Sequence, residues 1–193
     1  MPEELWRPSL DLALHRNREH AGARLVQLAT VRPDSTPAIR TVVFRGFLDD
    51  ARRLVFTTDG RSAKRAEIEA NPVGAACWYF AATREQFRIR GELSLIDADT
   101  QEPELRQARE DQWSDLTDET RATFTWPTPG DPRDPSGSFR DEPPDPSAPL
   151  DCFCLIVLAA TEVDHLELQH RPHVRWLYES DGRGRWSGRE VNP

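Results

Sequence analysis

Between Gln86 and Ile96, apolar and polar side chains alternate along the chain. Phe87, Ile89, Gly91, Leu93 and Leu95 fall on one side, and Arg88, Arg90 and Glu92 on the other. A period of two places successive side chains on opposite faces of an extended backbone, so this stretch reads as a long half-buried strand. Similar patterns predict strands over Arg24–Val31, Ala38–Phe47 (apolar at Ile39, Val43 and Phe47) and Leu54–Thr58. Pro33-Asp34-Ser35 and Asp49-Asp50 supply turn chemistry between them. Gly74–Phe80 reads as a buried strand, Cys152–Ala159 as a strongly apolar one, and Thr161–Leu168 as a further alternating one. Arg175–Ser180 and Arg185–Val191, joined across Asp181-Gly182, predict a C-terminal hairpin.

Helical signals are fewer. Ser9 is placed to cap a helix over Leu10–His20. Ser62 is placed to cap a short basic helix that ends near Ala70, before Pro72. Gln101–Trp113 predicts a polar helix marked by Leu105 and Trp113. Thr117 caps another, with Asp118 and Glu119 in its first turn. Thr125–Pro149 is dense in Pro, Gly, Ser and Asp and predicts an exposed loop inserted in one fold that spans residues 1–193. Strands outnumber helices, hairpins follow one another, and no strand–helix–strand rhythm occurs. The expected class is mainly β (β+α): an antiparallel β-barrel with peripheral helices.

Composition narrows the partners. The 193 residues are 37% hydrophobic and carry a net charge of −8. An acidic surface argues against nucleic acid, whose phosphates need an electropositive face. No apolar run approaches the roughly 20 residues that span a bilayer, so no membrane partner is expected. The N-terminus lacks the pattern of a signal peptide, and Cys77, Cys152 and Cys154 make no disulfide framework, which points to the cytoplasm. Arginine supplies nearly all the positive charge, and Lys64 is the only lysine. An ammonium is a compact point charge that a guanidinium does not replace at a tight site.

Lys64 stands in the first helical turn after Ser62, between Arg61 and Arg65. Unpaired N–H groups at a helix start attract anions, and a nearby hydroxyl and cation strengthen that attraction. Thr57 and Thr58 end the preceding strand, while Arg40 and Arg45 stand at the ends of RTVVFR. These residues fit a phosphate site; a solvated basic helix face with an ordinary serine cap accounts for them equally well. Arg171, His173 and Arg175 alternate at i, i+2 and i+4, so an extended backbone would aim all three one way, toward a planar anion. A surface loop entering a strand is the alternative. His165, His170 and His173 lack the spacing of a metal site, so no metal is expected. Cys152 and Cys154 fit core packing better than redox work.

Taken together, RTVVFR, TTDGRSAK, Asn71-Pro72, EQFRIRG and RPHVRWLY resemble the pyridoxamine 5′-phosphate oxidase family. The match runs from about Leu12 to Pro193, and Trp126-Pro127 with Pro129-Gly130 resembles a branch distinct from the true vitamin B6 oxidases. The resemblance implies a six-stranded antiparallel split β-barrel that binds FMN at the interface of a homodimer. It implies phosphate and ribityl contacts from Arg40 and ring contacts from the backbone of Thr41, Val42 and Val43. Arg45 would lie near flavin and substrate. Thr57, Thr58, Ser62, Ala63, Lys64, Gln86 and Arg175 would complete the cofactor site, with Ala63 where the family usually has a basic residue. Arg171 and His173 would bind substrate and are the candidate catalytic groups. A partner-supplied Trp-x-x-x-Gln-Ser element survives only as Trp113, with Thr117-Asp118 in place of Gln-Ser. The implied function is an FMN-dependent oxidoreductase acting on a small phosphorylated or heteroaromatic molecule. The alternative is a non-enzymatic protein that stores or senses FMN.

Overall fold

The computed structural model describes residues 6–48, 53–133, 139 and 142–193. Helix α1 (Arg7–Asn17) leads into β1 (Leu25–Val31), β2 (Pro37–Leu48) and β3 (Arg53–Asp59). Helix α2 (Ala63–Ala70) precedes β4 (Val73–Phe80) and β5 (Glu85–Ile96). Helices α3 (Pro103–Ser114) and α4 (Asp118–Thr123) follow, then β6 (Phe153–Glu167), β7 (Val174–Ser180) and β8 (Trp186–Val191). The strands form one antiparallel sheet in the order β3-β2-β1-β4-β5-β6-β7-β8, and β3 also pairs with β6. That extra pairing closes a six-stranded barrel, as expected, and leaves β7 and β8 as an extension from β6.

The closure depends on the length of β6. Two strands were expected over Cys152–Ala159 and Thr161–Leu168; the structure has one of 15 residues. Its first half pairs with β3 and its second half with β7, while β5 runs along nearly all of it. The register shifts once, between Arg90 and Gly91. A Cβ on Gly91 would lie 1.9 Å from the Ala159 carbonyl oxygen, so only glycine lets the strands meet there.

Residues 153–158 are buried on both faces, which is why they read as an unbroken apolar run instead of an alternating one. Inward side chains of β6 join Leu28, Phe44, Phe56, Trp78 and Ile89 in the barrel core, capped by Trp6 and Leu10 of the N-terminal region. Outward ones, Phe153, Leu155 and Val157, form a second core with Val55, Trp113, Leu116 and Phe124. Trp113 is therefore interior to its own chain: it is 0% exposed and its indole N–H donates to the Asp145 carbonyl at 2.8 Å.

Two helix boundaries differ from expectation. Trp6, not Ser9, stands at the N-cap of α1, because Pro8 suits the first turn; the helix ends at Asn17 instead of His20. The buried Asn17 amide donates to the Ala13 carbonyl and to Thr83, and its carbonyl accepts from the Ala82 N–H. The expected Asp49-Asp50 turn lies outside the described residues.

Trp113→Ala is expected to destabilise the fold by about 3–5 kcal/mol, measured by urea denaturation, through loss of a fully buried indole. A residue acting only in a partner's site would leave the midpoint unchanged.

Candidate functional site

The site is built where β3 ends and α2 begins. The Ser62 hydroxyl donates to the Asp59 carbonyl at 2.7 Å and does not cap its own helix. The first turn of α2 therefore has no side-chain cap. Lys64 projects from that turn, is half-buried, and forms no salt bridge among the described residues. Burial first, and then the charge of Arg40, push its ammonium below the ordinary lysine range.

Arg40 is less free than the sequence implied. Its guanidinium donates to the Glu67 carboxylate at 2.6 Å and to the Thr30 hydroxyl, and Thr30 donates to the same Glu67 oxygen at 2.5 Å. Glu67 is 5% exposed. Burial opposes its ionisation, but the hydrogen bonds from Thr30 and Arg40 and the Arg40 charge outweigh burial and hold the carboxyl below the ordinary glutamate range. Sequence patterning marked α2 only as a basic helix, and nothing in it singled out Glu67.

Arg40 and Lys64 border a cleft of about 580 Å³. Its floor is the backbone and side chains of Arg40, Thr41, Val42 and Val43, with Thr57, Thr58 and Lys64 at one end. The rest of its lining comes from the same chain: Thr120, Thr123 and Phe124 of α4 and its end, then Trp126 to Arg133, and Phe139. Most described residues of the 125–149 segment are exposed, as expected, and part of the segment also borders the cleft. Trp126 is half-buried, and Phe124 just before the segment is buried in the second core. The helix whose Gln-Ser counterpart was expected from a partner stands over the chain's own cleft. Thr117 caps it by accepting from the Thr120 N–H at 3.3 Å.

Other candidate residues lie elsewhere. Ser62 and Ala63 adjoin the cleft without lining it. Arg45 borders a separate cavity with Arg24 and Gln112 and donates to the Thr57 hydroxyl at 3.2 Å. Arg171 and His173 do not share a strand face with Arg175. β7 starts at Val174, and Pro172, which has no N–H to give a ladder, lies in an exposed loop. The His173 Nδ1 is 2.9 Å from the His170 carbonyl oxygen. Arg175 grips Asp164 through two hydrogen bonds of 3.1 and 2.8 Å, and Arg88 pairs with the same carboxylate.

The sheet register relates these positions. Tyr79 faces Gln86, Gln86 faces Leu166, and Leu166 faces Arg175. That row shares the outer surface with Thr41, which faces Gln27, which faces Cys77. Through the closing β3–β6 pairing, β2 and β7 are three strand steps apart, and β7 pairs with the half of β6 that lies beyond its β3-paired half. Leu25, Ile39, Val73 and Tyr79 are exposed on the same surface, at 43%, 69%, 46% and 47%. Cys154 is buried, and burial pushes its thiol up to about 11, in keeping with a packing role.

Comparison with known proteins bears on this geometry. The family model "Pyridoxamine 5'-phosphate oxidase, FMN-binding domain" matches residues 3–97. The chain is 36% identical over 191 residues to pyridoxine/pyridoxamine 5'-phosphate oxidase 2 of Arabidopsis thaliana, covering 97% of this chain and 96% of that one. A solved pyridoxamine 5'-phosphate oxidase-related, FMN-binding protein from Nostoc punctiforme PCC 73102 superposes with a TM-score of 0.93 at 49% identity, covering 97% of each chain. PhzG from Burkholderia lata 383, solved with tetrahydrophenazine-1-carboxylic acid, shares the fold with a TM-score of 0.78 at 20% identity, covering 100% of this chain and 94% of that one.

The Glu67 cluster has a pH signature. Its folded carboxyl titrates below the unfolded one, so its stabilisation is present above the ordinary glutamate range and is lost as pH falls through the folded value. Glu67→Gln is expected to cost about 1–3 kcal/mol at pH 7 and less in acid. Urea midpoints of both proteins at pH 7 and pH 3.5 test this; an equal difference at both values would remove Glu67 from the cluster's charge balance.

Proposed function

The chain belongs to the pyridoxamine 5′-phosphate oxidase family of FMN-binding proteins, and from that premise we propose that it is an FMN-dependent oxidoreductase acting as a homodimer. The carrying observation is the cleft itself. One end holds Lys64 and an uncapped helix start, and the floor is a β-strand edged by apolar Val42 and Val43. That polarity suits a phosphate at one end and a planar ring along the strand. Lys64, Arg40 and the α2 N–H groups would hold the phosphate, with Ser62 and Ala63 forming its turn. Thr57 and Thr58 would take the ribityl hydroxyls. The backbone of Thr41 to Val43 would bear the ring, and Arg45 would lie beyond it. When bound, FMN supplies the electron transfer, and the chain's residues bind, orient and shield it.

A second copy of the chain completes this arrangement. Gln86, Arg171, His173 and Arg175 do not line the cleft of their own chain. The exposed Leu25, Ile39, Val73 and Tyr79 lie between the two regions and suit burial against a partner. In a two-fold pair each chain's Arg171, His173 and Arg175 would face the other's cleft and orient a small anionic substrate there. The relatives' names point to pyridoxine or pyridoxamine phosphates as the first substrates to assay. Three unpaired cysteines suit a reducing cytoplasm.

A second reading, FMN storage or sensing without turnover, is favoured by one observation. Arg175 is already neutralised by Asp164, which leaves fewer free cations for a phosphorylated substrate. Visible absorption of the purified protein, followed by steady-state assays with pyridoxine and pyridoxamine 5′-phosphates, separates the two. Tight FMN binding with no aldehyde product would sink the oxidase reading.

Lys64→Ala is expected to weaken FMN at least about tenfold, the loss of one charge-assisted contact. Because the Lys64 pKa is depressed, wild-type affinity should fall as pH rises toward the ordinary lysine range, and Lys64→Arg should abolish that alkaline loss. Unchanged affinity by fluorescence titration would refute the phosphate placement. Ile39→Asp combined with Tyr79→Asp should yield a monomer in sedimentation and weaken FMN binding; a dimer that persists would move the interface elsewhere.

A further inference from the structure

The wall that residues 126–133 and Phe139 give the cleft has a composition that a phosphate site does not need. Trp126 and Phe139 meet edge to face, with ring centroids 5.6 Å apart and planes at 74°. The Arg133 guanidinium lies 5.0 Å from the Phe139 ring centre. Pro127, Pro129 and Pro132 fall within the same wall, and each fixes its own φ, so little chain entropy remains to be lost when a ligand enters. The wall is also anchored from behind. Phe124 packs on Trp113 and Phe153, and its carbonyl accepts from Arg61 at 3.1 Å. Arg61 is itself held by Asp59, at the cation end of the cleft. The Trp126 N–H continues the turn by donating to the Thr123 carbonyl at 3.3 Å.

We propose that Trp126 is a flavin-ring contact supplied by the same chain, and that the Trp126–Arg133 segment with Phe139 sandwiches the isoalloxazine against β2. The inference rests on the FMN reading above and assigns the insertion a role in it. A planar, largely apolar ring is the ligand class that an aromatic wall across from a strand accommodates, since indole faces pair with offset or edge-on rings. The cation end fixes the ring's orientation, because the phosphate must lie at Lys64. The wall also replaces in cis the α4-region element for which family resemblance looked to the partner. Cofactor retention thus becomes partly independent of the second copy.

The test titrates the full chain, stripped of flavin, with FMN and with riboflavin, which has the ring and lacks the phosphate. Trp126→Ala should weaken both ligands by roughly three- to tenfold, the range expected for one aromatic contact. It should also relieve the quenching of flavin fluorescence by the indole. Trp126→Phe should recover most of the affinity and little of the quenching. Lys64→Ala should weaken FMN and spare riboflavin, and unchanged circular dichroism would show that the variants fold. If wild-type protein binds FMN while Trp126→Ala alters neither affinity nor quenching, the wall is structural only and the proposal falls alone. If Trp126→Ala changes only a substrate KM, the ring on the wall is the substrate's and the flavin contact is wrong. If wild-type protein binds neither flavin, the FMN reading falls and the wall assignment with it.

Discussion

A buried carboxylate must be paired, and Glu67 is paired with two strands at once. Thr30 reaches it from β1 and Arg40 from β2, while its own backbone belongs to α2. This contact fixes the helix that carries Lys64 against the strand that forms the cleft floor. Desolvating a carboxylate costs several kcal/mol unless partners compensate, so the three groups hold one another in place. The same contact redistributes charge at the site. Arg40 gives part of its guanidinium to Glu67, and Lys64 is left at the cleft's end as a cation with no salt bridge among the described residues. A single lysine in an arginine-rich chain then has a physical rationale. The space is partly desolvated, and a compact ammonium suits it where a planar fork would have to satisfy five donors.

The cleft depends equally on β6. By closing the barrel with one half and extending to β7 with the other, this strand is buried on both sides over residues 153–158. Its outward side chains create the second core, which holds α3, α4 and the start of the insertion beside β3. Without that second layer the β2 floor would be an open sheet face. The Phe153, Trp113 and Phe124 contacts thus serve the site indirectly: they place Thr120, Thr123 and Trp126 across from Thr41 to Val43.

Local patterning made the strands and their antiparallel connection legible, because alternation and turn residues are encoded within a few positions of each other. It also found the α2 start and its basic residues. It missed what depends on distant packing. The apolar run at Cys152 and the alternation after Thr161 have different periods, so they read as two strands; tertiary pairing makes them one. Glu67 sits on a short charged helix whose burial is decided by β1 and β2. Arg171, His173 and Arg175 have a strand's spacing, yet Pro172 cannot take part in a ladder, so only Arg175 joins β7. The insertion's composition correctly argued for an exposed loop without regular structure, and did not show that part of that loop borders the cleft. A half-buried tryptophan among prolines was the available signal of a packed wall.

The distribution of polar groups over the barrel surface carries one more constraint. Gln86 and Arg175 lie in one cross-strand row, while Thr41 and the cleft lie several strands away on the same face. The lining of the cleft in one chain includes neither Gln86 nor Arg175. A two-fold axis passing between the two regions would bring them together, because such an axis swaps the regions and creates two equivalent sites at once. The residues midway between the regions would then lie nearest the axis and be the most deeply covered. Those positions are held by Ala29, Ala75 and Cys77, flanked by exposed Ile39, Val73 and Tyr79. Small side chains at the centre and larger apolar ones around it allow close approach of two sheets. The Asp164 carboxylate, shared by Arg88 and Arg175, would lie at the rim of this contact. In such a pair the Arg175–Asp164 ion pair would keep a β7 cation oriented toward the neighbouring chain.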